Sequence, residues 1–193
     1  MPFVGVFYWS DWVSKFRKKL QQHKPVIWTP RQEVLIDPPI PVPLSGTAPR
    51  VVMGQAWWDK VRLAAKIATN FHCIACKIKP NRLEGHERYE IDWLLGRATY
   101  LETVPLCKSC HLFIHQGFMK SQVDSGKMTE EQRVGVLNRG LQILREAGIK
   151  RPDDSIHRSS VEWQDWRLVV EGREFPPLYD SLEDFRKAMR NQG

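Results

Sequence analysis

Four cysteines constrain this chain more than any other feature of it. Cys73-Ile-Ala-Cys76 and Cys107-Lys-Ser-Cys110 account for all of them, with thirty residues between the pairs. A Cys-x-x-Cys turn aims two thiolates at one point, and two such turns supply four soft ligands to a tetrahedron. Zn²⁺ is the ion such a set prefers, because it takes four sulfurs readily and asks for no d-electron geometry. A disulfide framework fits less well. A secreted scaffold of this size would carry a leader and more cysteines, and the start, MPFVGVFYWSDWV, has no basic n-region. A redox Cys-x-x-Cys follows a strand in a βαβ unit and does not come doubled. The spacing predicts a closed structural zinc site on Cys73, Cys76, Cys107 and Cys110.

The stretch between the pairs has a strand period. His86, Arg88, Glu90 and Asp92 alternate with Glu87, Tyr89, Ile91 and Trp93, so the polar face of a half-buried strand carries His86. Leu94-Leu95-Gly96 reads as a turn and Arg97 to Val104 as the returning strand. After Cys110, His111 and His115 stand four apart and share a face on a helix. Three imidazoles suit a transition metal, whereas a hard Mg²⁺ asks for a carboxylate as well. Glu87 or Glu90 could provide one, and strand alternation makes Glu90 the same-face neighbour of His86. His72, beside Cys73, is a candidate donor to a thiolate; His23 and His157 read as surface.

The run Cys73-x-x-Cys76, Leu83-Glu84-Gly85-His86-Glu87, then Val104-Pro105-Leu106-Cys107-x-x-Cys110-His111 resembles the zinc-containing HNH endonucleases, over roughly residues 70–118. The resemblance implies a ββα unit around one divalent metal, here Mg²⁺, Mn²⁺ or Ni²⁺, with His86, His111 and His115 as its ligands. It also implies that a first-strand histidine activates water and that an Asn between the strands orients it, which puts His86 and Glu87 in catalytic positions. Family members commonly read Leu-Glu-x-His-His or Asp-His, ligand first and base second; this chain has His86-Glu87. Either His86 is the ligand and Glu87 holds the base position, or His86 is the base and Gly85 leaves the ligand position empty. The Asn position holds Glu102 or Thr103. A diverged active nuclease and a catalytically silent one both fit these residues.

Charge points the same way without deciding it. The net charge is +7, and the excess lies in residues 1–150, while 151–193 are net −2. A basic body suits nucleic acid or an acidic protein surface. Lys77, Lys79, Arg82 and Lys108 beside the knuckles are candidate phosphate contacts, and they would offset the −2 left by four thiolates and a zinc ion. No apolar run approaches the ~18 residues of a membrane span. The expected location is cytoplasmic, in a bacterial cell or a phage-infected host.

The rest of the chain divides by composition. Residues 1–36 hold a strand at Phe3–Trp9 and a basic amphipathic helix from Ser10, with Val13, Phe16 and Leu20 as its stripe. Residues 37–49 contain five prolines and read as an extended linker. Residues 50–120 form the zinc module, entered by a helix over Gly54–Asn70 with Trp57, Val61, Ala64, Ala65 and Ala68 on one side and Trp57-Trp58 packed beneath the module. Residues 121–150 carry a helix with a Thr129-Glu-Glu-Gln132 capping box, a buried stripe of Val134, Leu137, Leu141 and Leu144, and a stop at Gly148 and Pro152. Residues 151–193 hold a loop to 160, a small hairpin of Trp166–Glu171 and Arg173–Phe175, and a Ser181-capped helix to about Arg190.

The expected fold class is α+β, a small ββα zinc module with two CxxC knuckles embedded in a mostly helical chain with a short C-terminal β-hairpin. The expected function is an HNH-like metal-dependent nuclease acting on DNA phosphodiesters, with a structural zinc. The alternative is a non-catalytic zinc-stabilised protein that binds nucleic acid or another protein, such as a phage-encoded inhibitor or accessory factor.

Overall fold

A computed structural model describes residues 27–150 and 159–190. The expected Phe3–Trp9 strand, the helix from Ser10, His23, Pro152 and His157 lie outside the described residues. Among those described, the chain is mixed α and β, with six α-helices and one four-stranded sheet.

The sheet begins with an antiparallel hairpin of β1 (Glu84–Asp92) and β2 (Arg97–Leu106), in which His86 faces Val104 and Asp92 faces Arg97. Asp92 shapes the turn: its Oδ1 accepts the backbone N–H groups of Leu94 and Leu95, both at 2.9 Å, and Gly96 follows with a φ of 65°. An Asx turn and a left-handed glycine are the local chemistry that reverses a strand here. The register slips between Arg88 and Tyr89, with Leu101 as the extra residue on β2.

Two more strands extend this sheet. β3 (Arg167–Val170) pairs with β2 in parallel, Arg97 beside Arg167, and β4 (Arg173–Phe175) pairs antiparallel with β3. The order is β1-β2-β3-β4. Between β3 and β4, Glu171 and Gly172 both take positive φ, 50° and 75°, the combination that matches strand twist in a two-residue turn. Trp166, read as part of the hairpin, ends just before β3. It is 2% exposed and meets Trp93 edge-on at 5.7 Å.

The helices are α1 (Pro49–Met53), α2 (Gln55–Ala68), α3 (Lys108–Ile114), α4 (Gln116–Asp124), α5 (Glu130–Glu146) and α6 (Leu182–Arg190). On α2 the expected inner side is not the buried one. Trp58 is buried, whereas Ala64 and Ala68 are exposed; the helix meets the sheet at its N-terminal end, through the Trp58 ring and through Trp57, which lies edge-on to Tyr100 of β2 at 5.4 Å and packs toward Ala98 and Leu168 rather than beneath the cysteines. A Cβ at Gly85 would come within 3.1 Å of the Trp58 ring and of Thr103 Cγ2, so glycine lets the strand lie close over the indole.

The capping box of α5 is present, with Thr129 Oγ1 accepting from Gln132 N at 3.2 Å and Gln132 Oε1 accepting from Thr129 N at 2.9 Å. Its far end closes as a Schellman motif: Ile149 N donates to Leu144 O and Gly148 N to Arg145 O, with Gly148 at φ 69°. The expected stripe is turned, however. Val134 and Leu141 are exposed, and Gly140 and Leu144 are the buried pair, with Val136, Leu137 and Ile143 half-buried around them. The cause is Phe113 of α3, whose ring presses on Gly140 and draws that side of α5 inward.

Two cores result. One packs Val34, Leu35, Ile74, Leu83, Val104, Leu106, Phe113 and Leu144 around the cysteines; the other packs Leu44, Ala98, Trp166, Leu168 and Val170 beneath the C-terminal strands. The proline-rich stretch, expected to be extended throughout, carries a 3₁₀ turn at Val42–Leu44 and buries Leu44 and Thr47. Thr47 Oγ1 accepts from Leu178 N at 2.9 Å. Prolines restrict the backbone without preventing burial, and here they form a strap packed on the protein.

Replacing Gly140 by Ala should lower stability, since the overpacking against Phe113, about 1–3 kcal/mol, exceeds the gain in helix propensity of about 1 kcal/mol. Gly135→Ala on the same helix, where nothing lies within 4 Å, should raise it. Urea midpoints of the two variants check the pair of outcomes.

Candidate metal centre

The first knuckle is a tight turn, with Lys77 N bonded to Cys73 O and Cys73 N to Ile78 O, at 2.9 and 2.8 Å. Lys77 takes a φ of 64° to close it. Cys107 is the N-cap residue of α3 and Cys110 lies in its first turn. One backbone bond ties the two hooks together, Ile74 N to Pro105 O at 3.0 Å, and another, Arg31 N to Ile74 O at 2.9 Å, ties the first hook to the segment before Gln32. The four sulfurs all lie within 4.8 Å of one another. Cys76 and Cys107 Sγ are 3.7 Å apart; a tetrahedral zinc with bonds of about 2.3 Å sets its sulfurs at about 3.8 Å. These four residues can hold a metal ion.

The four thiols hold their protons unevenly: hydrogen bonds from the neighbouring thiols, Cys110 first, pull the Cys107 thiol down to about 7, Cys107 and Cys110 pull Cys76 down as well, and Cys73 and Cys110 are pushed up, each first by its bond to Cys107. Arg139 Nη2 reaches Cys76 Sγ at 3.8 Å, a cation beside the least buried sulfur. His72 does not approach a sulfur. Its Nδ1 sits 2.8 Å from Asn70 O and 3.2 Å from Thr69 O, and its ring lies against Trp28. The carbonyls ending α2 claim it instead.

A second cluster stands apart from the sulfurs. His86 on β1 and His111 on α3 meet His115, each offering one ring nitrogen, and the three nitrogens lie within 4.8 Å of one another. His111 and His115 Nε2 are 3.1 Å apart, close enough for both to bond one metal at about 2.1 Å. His115 is not inside the helix as its spacing suggests. It is the junction of α3 and α4, with ψ at 58°, yet its N–H still bonds His111 O at 3.2 Å, which keeps the two rings together, edge to face at 4.6 Å.

Carboxylates stand behind two of these rings. Glu84 Oε2 lies 2.6 Å from His111 Nδ1, and Asp37 Oδ2 lies 3.7 Å from His86 Nε2. His86 is 5% exposed, and its Nδ1 is buried with no hydrogen-bond partner among the described residues. A buried ring nitrogen left unsatisfied costs about 1–3 kcal/mol, so an atom placed this way fits a metal or a water better than an empty contact. Burial holds the His111 pKa below its usual value against the pull of Glu84. Burial, then the neighbouring His111 and His86, lower His115 to about 4. Part of the His115 ring reaches solvent, but its Nε2 faces the cluster, where the desolvation acts. Neutral imidazoles are the form that binds metal.

The other expected residues are placed as follows. Glu87 stands opposite Thr103, on the face of β1 away from His86, although its charge reaches His111. Glu90 is exposed further along the strand. Glu102 accepts both guanidinium nitrogens of Arg31, at 2.7 and 3.0 Å, and Arg88 at 3.1 Å. Thr103 is buried with its Oγ1 2.8 Å from the Tyr100 hydroxyl. Lys77, Lys79, Arg82 and Lys108 are all exposed. Arg82 also joins Arg62 and Lys66 of α2, where burial and the two guanidiniums lower the Lys66 pKa.

Asp37, Glu84 and Arg139 carry no site signal of their own in the sequence. Glu84 precedes His86 by two on an alternating strand, a spacing that marks it as a same-face neighbour; Asp37 and Arg139 reach their partners only through tertiary packing. Among the described residues, no helix is long and apolar enough to cross a membrane.

The depressed histidines predict a pH dependence. The folded chain binds fewer protons at His111 and His115 than the unfolded chain does, so stability falls as the pH drops below the unfolded value of about 6.5. For His115 the loss is complete near its folded value of about 4. Urea midpoints between these limits should fall less steeply in His115→Asn than in the unaltered chain, both of which keep the cysteine cluster. Comparison with protein-family models, with curated proteins and with solved structures gives no match to this chain, so the functional reading rests on the site itself.

Proposed function

We propose that the protein is a metal-dependent nuclease acting on DNA phosphodiesters, built as an HNH-like ββα unit of β1, β2 and α3 around a structural zinc. One observation carries the reading: a strand histidine, His111 on the helix of the second knuckle and His115 at that helix's end bring their ring nitrogens to a common focus. Cys73, Cys76, Cys107 and Cys110 would hold the zinc, which would hold the hairpin against α3. His86, His111 and His115 would hold a second divalent ion, Mg²⁺, Mn²⁺ or Ni²⁺. When bound, such an ion polarises the scissile phosphate and stabilises the leaving oxyanion.

The chain's own groups do the rest. Glu84 holds His111 by its Nδ1, leaving Nε2 free for the metal. If His86 is a ligand, Glu87 takes the proton of the attacking water; if His86 takes it, the ion rests on His111 and His115. The unpartnered Nδ1 of His86 favours His86, since Glu87 lies on the opposite face of the strand, beside Thr103. Exposed Lys77, Lys79, Arg82 and Lys108 would meet phosphates.

One observation favours the rival reading, a zinc-stabilised binding protein without catalysis. Glu102 is occupied by two arginines and Thr103 by Tyr100, so neither supplies an orienting amide. Nicking of supercoiled plasmid with Mg²⁺, Mn²⁺ or Ni²⁺ separates the two. The nuclease should nick, and His111→Ala should lose at least 100-fold; equal traces for the two proteins would leave only binding. Metal analysis of the purified chain should give one zinc, and removing it with a strong chelator should unfold the protein, since such sites contribute about 10 kcal/mol or more.

A further inference from the structure

The four sulfur ligands are not equally enclosed. Cys73, Cys107 and Cys110 are 0%, 3% and 1% exposed, while Cys76 is half-buried. Between the first knuckle and α5 lies a cavity of about 420 Å³, lined by Gln32, Cys76, Lys77, Arg139 and Gln142 among others. It has room for several molecules the size of water. Two contacts set Cys76 apart further: Arg139 Nη2 reaches its Sγ at 3.8 Å, and Cys107 Sγ lies 3.7 Å from it. A thiolate open to solvent beside a cation, with a second sulfur in reach, has the surroundings of a cysteine that oxidises reversibly.

We propose that Cys76 is an oxidation site through which a small hydroperoxide opens the sulfur cluster and releases its zinc. The proposal rests on the reading of the four cysteines as a zinc site and is independent of the histidines. Coordination keeps each sulfur a thiolate, and the thiolate is the nucleophile. Cys76 Sγ attacks the hydroxyl oxygen of the peroxide, the O–O bond breaks, and Cys76 becomes a sulfenic acid. The other oxygen leaves with the bonding pair, as hydroxide or alkoxide, and takes a proton from water. Arg139 offers N–H donors beside the sulfur, where that negative charge gathers. The Cys107 thiolate then attacks Cys76 Sγ, expelling hydroxide and closing a Cys76–Cys107 disulfide. Two electrons pass from two thiolates to the peroxide. Zinc is left with Cys73 and Cys110 alone and departs.

The test treats the zinc-loaded full chain with hydrogen peroxide, follows released zinc with a coloured chelator, and maps the cysteines by mass spectrometry after free thiols are blocked. Trypsin leaves Cys73 and Cys76 in one peptide and cuts at Lys108, between Cys107 and Cys110; fragment ions then tell Cys76 from Cys73. One zinc should appear per chain oxidised, with Cys76 joined to Cys107. Cys76→His, which keeps a zinc ligand at that position, should lose zinc about 10-fold more slowly, since susceptibility follows the exposed thiolate. Should that variant fail to fold, the map of the unaltered chain decides alone. A first disulfide other than Cys76–Cys107, equal zinc loss from a folded Cys76→His, or zinc and four thiols retained under peroxide would overturn the proposal and leave the zinc site intact. A chain purified without zinc would overturn both.

Discussion

The approach of two Cys-x-x-Cys turns until their four sulfurs lie within 4.8 Å of one another is the constraint on which the rest of the molecule depends. It holds together segments that local propensity would leave apart: the turn after α2, the end of β2 and the start of α3. The apolar residues packed around the sulfurs come from the same places, Ile74, Leu83, Leu106 and Phe113 among them, so the sulfurs sit inside a core. A chain this size has little apolar surface to spare for two separate cores, and a cross-link of four thiols supplies to the first what its few large residues do not.

That arrangement sets the second cluster. Cys110 and His111 are adjacent, and Cys107 directly follows Leu106, the last residue of β2. Fixing α3 at its N-terminus by two cysteines aims His111 at the hairpin, and His86 stands on the strand beside it. Two clusters of different chemistry thereby share one short helix. The soft sulfurs are mostly buried, while the imidazoles open at His115 toward solvent. The difference in access divides a part that holds shape from a part that can meet another molecule.

Much of this was legible in the residues. The capping box at Thr129 and the glycine turn of the last hairpin are local signals, and each is found where its chemistry puts it; the alternation around His86 finds the strand but misplaces the ring, which is the most buried residue of β1 and not part of a polar outer face. The failures are tertiary. Nothing in the helical period of α5 says that Phe113 will press on Gly140 and turn the buried side away from Val134 and Leu141. His72 looked like a neighbour of sulfur because sequence adjacency says nothing of direction, and the carbonyls ending α2 took it. Asp37 was hidden by its prolines, which resemble a linker until Arg88 is seen to grip the carboxylate. The pairing of β3 with β2 left no trace, since a three-residue parallel ladder between distant segments has no local signature.

That parallel ladder orders events during synthesis. β2 leaves the ribosome about sixty residues ahead of the strand that covers it, so the knuckles, the hairpin and α3 can assemble while one edge of the sheet still shows bare backbone donors and acceptors. An uncovered edge of that kind invites a strand from another molecule. The nascent chain is therefore most vulnerable to sticking to its neighbours after its sulfurs have found each other and before Leu168 arrives.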